Sequence, residues 1–212
     1  MACPICQKRK PKRYCPAKSA SICSVCCGTE REVTLDCPPD CPYLVESRRH
    51  EAERREPDWS KVPFAETRIP ASFVESHEQL ILALSYAASV FARDNRPLVD
   101  TDTLAAFQQL AEAYRTLASG LYYEQPPAGP LAHGLYVALK AGIEDFKKTA
   151  AREAKALALR DSEIRDALIL LTQVGSTRAN GRPKGRAYLD FLRSQFRPEQ
   201  FARPESNIIV VP

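Results

Sequence analysis

Ser21–Cys41 reads SICSVCCGTEREVTLDCPPDC and holds five of the chain's eight cysteines, two of them adjacent. The other three are Cys3, Cys6 and Cys15, so every thiol of the 212-residue chain lies in its first 41 residues. About forty residues cannot bury enough apolar surface to fold unaided. This stretch offers only Ile5, Tyr14, Ile22, Val25, Val33 and Leu35. A structural zinc site supplies roughly 10–16 kcal/mol of apparent binding free energy, enough to replace the missing core.

The spacings suit a tetrahedral ion. In CPIC (3–6) and CSVC (23–26) a two-residue spacer turns the chain so that both sulfurs face one centre. In CPPDC (37–41) the spacer is three, and Pro42 stands at the first position of a predicted helix, so Cys41 sits where a helix N-terminus favours a thiolate. A redox reading of either C-x-x-C wants a thioredoxin-like βαβ context, which the sequence does not supply.

With Cys3, Cys6, Cys15, Cys23, Cys26 or Cys27, Cys37 and Cys41 in this order, the segment resembles the cross-braced zinc fingers of the MYND and HIT types. By that resemblance Cys3, Cys6, Cys23 and Cys26 share one zinc, and Cys15, Cys37 and Cys41 share another. Lys18 stands where the pattern has the partner of Cys15. Cys27 completes the second set if each of the paired cysteines serves a different ion. Two zinc ions are therefore expected. Vicinal cysteines on one ion, or a single site with spare thiols, remain the alternatives. These fingers recognise partners and do not catalyse, so the resemblance implies protein–protein interaction or complex assembly.

Residues 1–29 carry six basic side chains and no acid: Lys8, Arg9, Lys10, Lys12, Arg13 and Lys18. Around a four-thiolate zinc site of net charge −2, nearby cations offset the charge. The sharper reading is a phosphate-binding patch on Lys8, Arg9, Lys10, Lys12 and Arg13. Single-strand binders, however, stack bases on aromatics, and Tyr14 is the single aromatic here.

Outward from the finger (1–41), residues 42–70 read as a charged, self-paired helix followed by an irregular segment with three prolines. Trp59 and Phe64 are expected to dock that segment on the body, and His50 to lie on the surface. From Ala71 the apolar period turns helical. Phe73, His77, Leu80, Leu84, Ala87 and Phe91 form one stripe. Asp100 or Thr101 caps a second helix, with Leu104, Phe107, Ala111 and Tyr114 inward. A third starts near Leu131 and extends through residues 147–159. Ser162 caps a fourth, which Gly175 stops, and a fifth covers Pro183–Phe196. The fold class is mainly α: a small N-terminal zinc finger, then a four- to five-helix bundle over 71–197. The tail, 198–212, ends in the apolar ESNIIVVP and is expected to dock on the bundle or on a partner.

NGRPKGR (180–186) resembles the core of the AT-hook, which lies extended in the minor groove of A·T-rich DNA. That resemblance implies Arg182, Lys184 and Arg186 as contacts, with Arg178 nearby. A helix–helix connection, with NG turning and Pro183 opening the next helix, is the structural alternative. His77 and His133 read as structural, and no paired Glu-x-x-His elements, nucleophile motif or phosphate-cradling glycine loop appears. Without a leader or a spanning segment, the chain is expected to be cytoplasmic and free of membrane partners. The sequence thus predicts a zinc-binding adaptor that recognises another macromolecule. The alternative is a nucleic-acid-associated protein using the basic finger face and the 178–186 segment.

Overall fold

The computed structural model describes residues 2–54, 56–121, 123–152 and 159–201. Residues 202–212 of the expected 198–212 tail, and the 153–158 part of the third helix, lie outside the described residues. The fold is mainly α, with a cysteine cluster at its N-terminus.

The finger opens with an antiparallel hairpin, β1 (Arg13–Cys15) and β2 (Ala20–Ile22), in which Arg13 faces Ile22 and Cys15 faces Ala20. Helix α1 (Ser24–Glu30) follows, and α2 (Pro42–Arg54) starts at the proline after Cys41. Ile22 and Leu35 are buried among the cysteines, the whole apolar content of this small interior being a handful of side chains.

The body consists of α3 (Ala71–Ser76), α4 (Glu78–Asp94), α5 (Asp100–Ala118), α6 (Pro130–Arg152), α7 (Asp161–Arg178) and α8 (Ala187–Ser194). Helix α5 packs on α7 and α6, and α4 packs on α6 and α8. Leu84, Phe107, Leu110, Leu135, Leu139, Ile164 and Leu168 fill the space between them. Each such side chain, fully buried, contributes roughly 1.5–3 kcal/mol of hydrophobic stabilisation.

Local physics departs from the periodic reading in several places. The stripe from Phe73 to Phe91 is broken at His77, whose backbone (φ −118°, ψ 21°) closes α3 and opens α4. Ser76 Oγ donates to the Ser72 and Phe73 carbonyls, and the His77 ring stacks on Phe73 at 4.2 Å. Side chains that bond the preceding turn compete with the backbone ladder and bend a helix. Val99, not Asp100, is the N-cap of α5. The Asp100 carboxylate instead accepts from the backbone N–H of Tyr188 and Leu189, each at 3.1 Å, and so caps α8 from another helix. The α7 cap is Arg160 rather than Ser162, with Glu163 accepting from the Arg160 backbone N–H at 2.8 Å.

Gly175 does not stop α7; it lies inside it. A Cβ there would stand 2.5 Å from the Tyr188 ring and 2.7 Å from Leu104, so the glycine marks a close crossing. Helix α8 begins at Ala187, and Pro183 belongs to the turn before it. In the proline-rich segment Phe64 packs against the core, whereas Trp59 is 60% exposed.

Candidate metal centre

Cys3 and Cys6 stand on a tight turn closed by Gln7 N–H to the Cys3 carbonyl (2.7 Å) and Cys3 N–H to the Arg9 carbonyl (2.8 Å). Gln7 takes φ +54°, the left-handed conformation that reverses the chain beneath the two sulfurs. Cys23 and Cys26 bracket the start of α1, where Cys23 is the N-cap and its sulfur accepts from Cys26 N–H at 3.4 Å. Cys23 N–H in turn donates to the Cys3 sulfur at 3.3 Å. The turn and the helix start thus hold each other through sulfur.

The four Sγ atoms of Cys3, Cys6, Cys23 and Cys26 lie within 4.8 Å of one another, and Cys6 and Cys23 are 3.9 Å apart. A tetrahedral ion with about 2.3 Å metal–sulfur bonds puts its sulfurs about 3.8 Å apart. The spacing is that of ligands around a shared centre, and the thiols are free rather than joined. Four soft sulfurs are a donor set for a thiophilic ion. The cluster could hold a metal ion.

Electrostatics agrees. The backbone N–H groups of Lys8 and Arg9 hold the Cys6 thiol down to about 6. Burial, with Cys23, Cys6 and Cys3 crowding in, pushes Cys26 up to about 12. Four thiols in one cage cannot all ionise against each other; a divalent cation at the centre reverses that cost. Since the protein would furnish all four ligands, no coordination position stays open for substrate.

Cys15, Cys27, Cys37 and Cys41 form no second group of this kind; among the described residues the first cluster stands alone at that separation. Cys27 Sγ accepts from the Arg13 and Arg31 guanidiniums, each at 3.7 Å. The Cys37 thiol is raised by burial, against a hydrogen bond from the Glu32 backbone, and further by the negative charge of Cys41, Cys15 and Glu32. Cys41 is buried at the start of α2, and its carbonyl accepts from Val45 N–H.

The basic residues singled out in the sequence divide. Lys8, Arg9, Lys10 and Lys12 are exposed, and Arg13 lies over the Tyr43 ring at 4.6 Å. Arg178 stacks on Phe191 at 3.6 Å. The 180–186 segment is the α7–α8 connection, and its cations turn onto the finger. Arg182 donates to the Arg31 carbonyl (2.8 Å) and reaches Glu51 (3.3 Å). Lys184 donates from its backbone to the Glu32 carbonyl (2.7 Å) and from Nζ to the Thr34 carbonyl (2.8 Å). Arg186 pairs with Asp36 and bonds the Leu98 and Arg96 carbonyls.

Sequence reasoning missed the residue at the centre of this joint. Glu32 is 2% exposed, at φ +53°. Its carboxylate accepts from Arg48 of α2 and from Asn180 Nδ2, both at 2.6 Å. No local pattern marks it, because the partners are distant in the chain.

No family model, curated protein or solved structure matches this chain. The likeness to MYND and HIT fingers therefore stands on the cysteine positions alone. Among the described residues no helix is long and apolar enough to cross a membrane.

Proposed function

We propose that the chain is a zinc-binding interaction protein that recognises another protein and performs no catalysis. What carries this reading is the closure of the Cys3–Cys6–Cys23–Cys26 set. Four protein sulfurs around zinc complete the coordination, as in structural sites, whereas catalytic zinc keeps a position for water. When bound, the ion would fix the turn at Cys3 and the start of α1 in one arrangement. The segment 31–36, directly after α1, then presents Glu32, Thr34 and Asp36 to the helical body. Through these contacts the finger is a face of the molecule rather than a tethered bead.

A second ion on Cys15, Cys27, Cys37 and Cys41, in the MYND and HIT manner, is supported by the influence of Cys41 and Cys15 on the Cys37 thiol. It requires Cys27 to turn from Arg13 and Arg31. Zinc analysis separates the two versions: two equivalents per chain for the cross-brace, one for the single site.

Affinity purification from the native cells, with and without nuclease, tests the function. The reading expects a specific protein that stays bound after nuclease and is lost when Cys3 and Cys6 are replaced by serine. Retention of nucleic acid alone, or loss of every partner on nuclease treatment, favours the exposed Lys8–Lys12 cations as a nucleic-acid contact and overturns it.

A further inference from the structure

Between the finger and α2 runs an open groove of about 680 Å³. Arg13 and Arg31 line it from the finger, Tyr43, His50 and Arg54 from α2, and Asn180 from the α7–α8 connection. Its volume lies within the range of ligand sites.

The two arginines at its base are unusual. Both guanidiniums converge on the one sulfur of Cys27, at 3.7 Å each, and so stand within about 7 Å of one another. Arg31 is only 7% exposed, yet among the described residues neither it nor Arg13 is paired with a carboxylate. A sulfur is a weak acceptor, and a buried cation such as Arg31 with a second, half-buried cation beside it is costly without a counter-charge. Arg54 is exposed, and the exposed Lys8–Lys12 run, without an ion pair among the described residues, directly precedes Arg13 in the chain. Of the two acids in the lining, Glu51 is already engaged by Arg182 and Ser47, which leaves Glu46.

We propose that this groove binds an acidic peptide segment of the partner, with one carboxylate received by Arg13 and Arg31 and further acids by Arg54 and the Lys8–Lys12 run. Guanidinium pairs recognise carboxylates with fixed, charge-assisted geometry. A peptide fits better than a nucleic acid. Glu46 repels the closely spaced charges of a phosphate backbone, while a peptide can place a neutral residue opposite it. The aromatic face that could stack a base, Tyr43, is covered by Arg13. The assignment rests on the adaptor reading and names the chemistry of its partner.

The test uses the zinc-loaded full chain and a labelled ten-residue peptide of alternating Glu and Ser, followed by fluorescence anisotropy. Controls are the Gln/Ser peptide and a ten-residue oligothymidylate. Saturable binding of the Glu peptide is expected, with little for either control. Arg13→Gln and Arg54→Glu should each weaken it about tenfold at unchanged zinc content and melting temperature. Arg152→Glu, on α6 and outside the groove, should leave it unchanged. Absence of saturable binding, indifference to Arg13→Gln and Arg54→Glu, or preference for the oligothymidylate overturns the assignment. If a nuclease-resistant protein partner is found in cells but the Glu peptide does not bind, only the groove assignment fails.

Discussion

Glu32 of the finger and Arg48 of α2 meet at 2.6 Å, and the carboxylate is 2% exposed. The same guanidinium reaches Asp190 of α8 at 2.5 Å, so one arginine ties finger, connecting helix and bundle together. Removing one partner of a buried pair leaves the other charge stranded and costs roughly 3–5 kcal/mol. Glu32→Ala and Arg48→Ala should each fall in that range by chemical denaturation. The double variant should cost much less than the sum of the two. Additive losses would show that the two residues do not act through each other.

The finger also clamps the α7–α8 connection, through Lys184 to Glu32 and Thr34 and through Arg186 to Asp36. Stripping the metal should release it. Limited trypsin digestion is expected to cut after Lys184 and Arg186 at least tenfold faster in the chelated protein, since open segments are the ones proteases reach. Equal rates with and without chelator would mean that the joint does not depend on the metal.

Asp100 is raised to about 6 by its burial, against the pull of the Tyr188 and Leu189 N–H groups. The folded value exceeds the ordinary 3.8, so the folded chain binds this proton more tightly than the unfolded chain does. The resulting stabilisation is complete below about pH 4 and is lost as pH rises through about 6. Its size is on the order of 3 kcal/mol. Carboxyl NMR should place the Asp100 midpoint near 6, and Asp100→Asn should flatten the stability profile across that window. A midpoint near 4 would contradict the assignment.

Two glycines inside helices should respond oppositely to alanine. At Gly175 the new methyl meets the Tyr188 ring, and overpacking of this kind costs typically 1–3 kcal/mol. At Gly28, in α1, a Cβ meets nothing within 4 Å, so alanine should stabilise the helix by roughly 0.5–1 kcal/mol. Thermal melts of the two variants check both signs.

What the sequence disclosed followed the range of the forces involved. The C-x-x-C spacings at Cys3 and Cys23 are local geometry, and the apolar stripes of α4 to α8 are one-dimensional patterns, so both were legible. What satisfies the first N–H groups of α8 was not, because Asp100 accepts from them 88 residues away. Gly175 looked like a stop, since nothing near it in the chain reveals that Tyr188 crosses there. The NGRPKGR segment is basic for a reason visible only in three dimensions: its cations meet the carbonyls and acids of residues 31–36. Glu32 carried no signal at all, since a lone glutamate in a charged stretch resembles any surface residue.

The most direct test is X-ray absorption at the zinc edge, with metal content, on protein purified without added metal. The account predicts at least one zinc per chain, ligated by sulfur alone at about 2.3 Å, with four sulfurs per ion, and loss of one zinc equivalent in Cys3→Ser with Cys23→Ser. A metal-free protein whose finger amide signals match those of a zinc-treated sample, or a zinc held mainly by nitrogen and oxygen, would contradict it.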